Sequence, residues 1–181
     1  MGKDENYKAL VESLNLNELD ELNNKVNINT EILLNRAKNI VSAYCEPLDD
    51  YMVYLKDAIN QPIPPSDGEL DEWSVKLSSL LYFAGEGVES IGIKEDIAKA
   101  YKMDKYNTAY NEISGTISDK SAYADLQSQK EYLVHTIYQR AYKMAKQKVE
   151  AGMELLQSIK KVISRRMNSY SLSVVDKSQY K

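Results

Sequence analysis

The sequence predicts an all-α protein, a helical bundle whose long C-terminal helix forms one arm of an antiparallel helical hairpin. Three observations carry this expectation. All four prolines, Pro47, Pro62, Pro64 and Pro65, come before residue 66, so the larger part of the chain is free of the strongest helix breaker. Beyond them, apolar residues recur at three- and four-residue spacing, the period of a helix face. Late in the chain, SGTISDK (Ser114 to Lys120) has the composition and length of a helical-hairpin loop. At 181 residues, with 43% hydrophobic and 28% charged residues, the chain can bury a core of its own.

In chain order, Leu10 to about Asn24 reads as one or two short helices with frayed ends, carrying Leu14, Leu16, Leu19 and Leu22 among Asn and Glu. Asn29 and Thr30 are expected to cap a clearer helix, in which Ile32, Leu33, Ala37, Ile40, Val41 and Tyr44 form one face. Pro47 should kink or restart that helix, and Leu48, Tyr51, Met52, Leu55 and Ile59 continue its stripe. QPIPPSDG (Gln61 to Gly68) is a rigid turn, since Pro-Pro cannot sit inside a helix while Ser66 or Asp67 can cap the next one. It divides an N-terminal helical segment, 1–61, from a helical core and hairpin, 66–168, ahead of a flexible tail, 169–181.

After the turn, Leu70, Trp73, Leu77, Leu80, Leu81, Ala84, Val88 and Ile91 keep one helical face, with Trp73 read as core. Gly85 and Gly87 mark either a bend or a close approach of two helices. A second, Tyr-rich run spans Ile93 to Ile113 and ends at Ser114-Gly115. From Ser121 to Met167, a stripe that includes Ile137, Ala141, Ala145, Val149, Leu156, Ile159 and Ile163 predicts one helix of roughly 70 Å at about 1.5 Å per residue. Such an element projects, packs as a hairpin or joins subunits, so a homo-oligomer is expected.

Chemistry-bearing constellations are sparse. One His and one Cys cannot assemble a hydrolytic triad or a zinc site, and we expect no enzyme, no metal and no cofactor. His135 reads as structural although Glu131 lies four residues away, because a di-iron bundle needs a Glu-x-x-His pair on two helices and further Glu ligands. Gly85-Glu86-Gly87 puts a carboxylate where a phosphate would sit. The lone Cys45 permits no internal disulfide, the first residues are acidic and polar unlike a secretion signal, and no apolar run is long enough for a bilayer. A cytoplasmic location without membrane association follows as the expectation.

Charge is unevenly spread. Residues 1–137 carry 13 Lys and Arg against 24 Asp and Glu, whereas 138–181 carry 10 against 3. Advancing by about 100° per residue, Arg140, Lys143, Lys146, Lys161 and Arg165 face away from the apolar stripe of the last helix, with Glu150 and Glu154 between them. Lys148 and Arg166 fall nearer the stripe and must snorkel or meet acids. Arg140, Lys143, Lys146, Lys160, Lys161, Arg165 and Arg166 are the candidate nucleic-acid-binding residues, with Tyr138 and Tyr142 placed to stack on unpaired bases. Part of the signal has a simpler source, since cations at a helix C-terminus suit the helix dipole and a basic helix can pack on an acidic neighbour.

The passages LLYFAGEGVESIGIKEDIAKA and HTIYQRAYKMAKQKVEAGMELLQSIKKVISRRM resemble small helical proteins of tailed phages and prophages of Gram-positive bacteria. The layout of about residues 93 to 168, a Tyr- and Ala-containing helix, a Gly turn and a long helix ending in basic residues, is similar to UvsY-type recombination mediators. That resemblance implies an oligomer that binds single-stranded DNA and helps a phage recombinase. A protein-binding inhibitor of a host protein, with the acidic part imitating nucleic acid, is the alternative expectation, and a virion assembly component is the third.

Overall fold

In a computed structural model that describes residues 16–178, with side chains described for 20, 21 and 23–170, the described residues form four helices. They are α1 (Leu16–Ile59), α2 (Asp67–Glu112), α3 (Ile117–Gln127) and α4 (Gln129–Ser178). Cross-helix contacts give their directions. Gly92 meets Tyr142, Leu81 meets Gly152 and Asp67 meets Arg166, so α2 and α4 run antiparallel. Arg36 and Ile40 line one crevice with Val134 and Tyr138, and Met52 and Ile59 line another with Lys148 and Leu155, so α1 lies parallel to α4. The result is an all-α bundle of three long helices, with the antiparallel α2–α4 pair the sequence called for.

Why α2 starts where it does is visible in its cap. The Ser66 hydroxyl accepts from the Glu69 backbone N–H, and the Glu69 carboxylate accepts from the Ser66 backbone N–H, which satisfies two donors of the first turn. Thr116 and Asp119 repeat the device at the start of α3. Between helices, one core forms from Val41, Cys45, Leu48 and Leu55 on α1, Leu70, Trp73, Leu77, Leu81 and Ile91 on α2, and Ala141, Ala145, Val149 and Ile159 on α4. A fully buried Leu such as Leu48 or Leu77 contributes about 1.5 to 3 kcal/mol by leaving water. The Pro-rich turn is therefore a hairpin bend within one core that draws on both sides of it.

Several sequence expectations change. Asn29 and Thr30 start no helix, because α1 is already helical from Leu16 and nothing between there and Glu46 breaks it; Leu10 to Leu14 lie outside the described residues. Pro47 does not restart α1 either. Its ring costs the bond to the Ala43 carbonyl, but Ala43 is exposed, so water can replace the lost donor. Gly85 and Gly87 do not interrupt α2, which runs unbroken through the expected junction near Ile93. Gly87 marks a close approach instead, where an added Cβ would lie 2.6 Å from the Tyr44 Cβ.

The last helix is displaced at both ends. Helix resumes at Ile117, inside the expected loop, and the run breaks at Ser128 (φ −97°, ψ 7°) before continuing as α4. Ala124 and Ser128 are both buried there, and the Ser128 backbone still bonds Ala124 and Tyr132, so the interruption is slight. At the other end, α4 stays helical to Ser178, beyond the expected limit at Met167. Its stripe is buried from Ala141 to Ile159, but Leu133 and Val134 stay exposed.

Candidate nucleic-acid interface

α4 sorts its cations by angle around its axis. Near the apolar edge, the Lys148 ammonium donates to Asp49 on α1 at 2.5 Å. Arg166 donates from one guanidinium nitrogen to the Pro65 carbonyl at 2.7 Å and to Asp67 at 2.8 Å. Both residues thus meet acidic partners, one of the two outcomes their register allowed. Arg166 must accordingly leave the candidate set, because its guanidinium is engaged in closing the end of the bundle.

The other six candidates remain outward. Arg140, Lys143, Lys146, Lys160, Lys161 and Arg165 are all exposed. Lys146 reaches Glu150 at 4.0 Å with both side chains 58% exposed, a surface pair of little energetic weight. Arg140, Lys143, Lys160, Lys161 and Arg165 form no ion pair among the described residues. They make two clusters on one continuous helix, separated by roughly 21 Å between Lys146 and Lys160 at about 1.5 Å per residue. A flexible polyanion can span such clusters, whereas the intervening Glu150 and Glu154 disfavour continuous contact.

The tyrosines behave differently from the sequence expectation. Tyr142 packs its ring on α2 beside Gly92, which needs that space free of a Cβ, and so is not presented as a stacking platform. Tyr138 lines a crevice of about 540 Å³ with Arg36, Tyr44, Lys94, Val134 and Ile137. There the Lys94 ammonium donates to the Tyr44 hydroxyl at 2.8 Å, and Ser90 donates to the same oxygen at 3.3 Å. The Lys94 contact, then the Ser90 hydrogen bond, hold the Tyr44 phenol below its usual pKa, and Lys94 is correspondingly raised.

His135 sits beside this crevice with Nε2 2.9 Å from a Glu95 carboxylate oxygen on α2. That contact fixes the ring across the helix pair in a structural role. No group of three or more His, Cys, Asp or Glu converges to hold a metal among the described residues. No described helix is long and apolar enough to cross a membrane. Sequence reasoning missed Glu95, Ser90 and Lys94, whose partners lie 40 to 50 residues away and leave no local signal. No protein-family model, curated protein or solved structure matches the chain.

Proposed function

We propose that this chain is a non-enzymatic accessory protein that binds single-stranded DNA along the outer side of α4 and works as an oligomer. The setting implied by the resemblance is phage DNA recombination or replication, with a recombinase as protein partner. One observation carries the reading. The cations whose register turns them toward the bundle are matched by oxygens of the same chain, while Arg140, Lys143, Lys160, Lys161 and Arg165 are left without an acidic partner among the described residues. Five such cations on one continuous helix suit a ligand that supplies its own negative charge at intervals.

Binding of fluorescent single-stranded DNA, titrated with salt, is the test. Five neutralised phosphates at about 0.7 each predict a log–log slope of about −3.5. Reversing Lys160, Lys161 and Arg165 to Glu weakens binding by about tenfold or more, while Lys148→Ala, which acts inside the fold, leaves the slope unchanged. Absence of binding at low salt, or equal affinity in the charge-reversed variant, overturns the reading.

A further inference from the structure

The first half of α1 is a helix without a neighbour. From Asp20 to Arg36, Leu33 alone among the described side chains is even partly covered, and α1 does not approach α3. Val26 and Leu34 are 59% and 40% exposed, although with Leu33 they stay in line with the buried Ala37, Val41 and Leu48 at about 100° per residue. The core stripe of α1 thus continues past the point where its packing stops. Ile28 and Ile32 add a second exposed apolar edge, 58% and 54% open. An isolated helix in water has no reason to be apolar on two edges.

A matching vacancy lies on the rest of the bundle. Where α1 leaves the groove between α2 and α4, Ala98, Tyr101, Lys105, Lys130, Glu131 and Val134 line a trough of about 400 Å³. It adjoins the Tyr44 crevice through Val134. Its apolar wall includes Tyr101, 67% exposed, and Val134, 43% exposed. One oxygen of Glu131 is shut from solvent and has no hydrogen-bond partner. A carboxylate oxygen in that condition is costly, and a turn of the Glu131 side chain toward a donor docked in the trough removes the cost.

We infer that the first half of α1 docks in the α2–α4 trough of a second copy of this chain, each copy receiving the other's helix. Three features select a second copy as the occupant. The helix that lacks a groove and the groove that lacks a helix belong to the same chain, so reciprocal exchange satisfies both at once. The free helix carries Asp20, Glu21 and Glu31 with Lys25 and Arg36, and the trough offers Lys105 and Lys130 to its acids and Asp104 to its bases. The same helix carries Asn23, Asn24, Asn27 and Asn29, whose side-chain amides are the donors that the buried Glu131 oxygen lacks.

The test needs no nucleic acid, so its outcome is independent of DNA binding. Sedimentation equilibrium of the full wild-type chain should give twice the 20.6 kDa chain mass. Val26→Asp with Leu34→Asp on the helix, or Val134→Asp in the trough, should weaken association about a hundredfold or more without changing helical circular dichroism, because these side chains are exposed in the single chain. Pairing between copies is read separately by mixing an Asn27→Cys chain with a Lys105→Cys chain under oxidising conditions. A disulfide between the two chains supports exchange; Cys45 is buried and takes no part. A wild-type monomer, a dimer indifferent to both sets of substitutions, or a disulfide seen only when both cysteines are in one chain overturns it.

Discussion

The two ends of this bundle are built on opposite principles. At the Pro-rich end, the α1–α2 turn is pinned from three sides: Ser66 and Glu69 cap α2, Arg166 reaches across from α4 to the Pro65 carbonyl and Asp67, and Trp73 is buried just inside. At the other end, α1 runs uncovered, the Tyr101–Val134 trough stands open and a Glu131 oxygen lacks a partner. Both ends contain long amphipathic helices, so apolar pattern alone does not distinguish them. What differs is how much apolar surface is covered: at the closed end the helices pack on one another, whereas at the open end the first half of α1 and the walls of the trough stay exposed.

The sharpest way to break this contrast is to remove equivalent apolar groups from each side of it. Leu48→Ala, in the closed core, should cost about 2 to 5 kcal/mol, whereas Val26→Ala in the single chain should stay within about 0.5 kcal/mol. Urea unfolding at concentrations low enough to keep the chain monomeric measures both. Similar losses would mean that the first half of α1 is packed after all.

A smaller effect is expected from Arg166→Ala, which strips two oxygen contacts from the closed end. It should cost about 1 to 3 kcal/mol, and hydrogen exchange should quicken around the 60–67 turn while the first half of α1 is unaffected. Ser66→Ala should lower Tm by about 2 to 4 °C. The cap also carries a pH signature. Hydrogen bonds from Ser66 hold the Glu69 carboxyl below its usual pKa, so its stabilisation is complete above the ordinary Glu range and fades as pH falls through the lowered value. Acid titration of stability should therefore be shallower in Ser66→Ala.

The smallest change lies near the open end, at Tyr44. With Lys94 beside it, this phenol should ionise below the ordinary tyrosine range as pH rises, seen as an early step in tyrosinate absorbance that Tyr44→Phe abolishes. The tyrosinate form is the one Lys94 favours, so the contact strengthens as Tyr44 ionises and is lost again when Lys94 gives up its proton.

Much of the closed end was legible in the sequence. The spacing of Leu70, Trp73, Leu77 and Leu81 placed one face of α2, Ser66 and Asp67 gave its start, and the angular offset of Lys148 and Arg166 called for snorkelling or acidic partners, which prove to be Asp49 and, beside the Pro65 carbonyl, Asp67. The open end was not. A capping residue such as Thr30 marks where a helix is able to begin, and with nothing upstream to halt α1 that ability goes unused. The Ser128 break has no Gly or Pro to announce it, since it accompanies the burial of Ala124 and Ser128 in the folded chain. The trough and the Tyr44–Lys94 contact join residues far apart in sequence, so no local pattern encodes them.

Tyr44 seated over Gly87 works as a detent between α1 and α2. For one helix to slide a turn along the other, the ring would have to ride up over Val88 or another side chain that fills the notch, lifting the pair apart along its length. The notch thus adds a fixed register mark to the interlocked core, and α1 passes through it as one continuous helix toward its uncovered start.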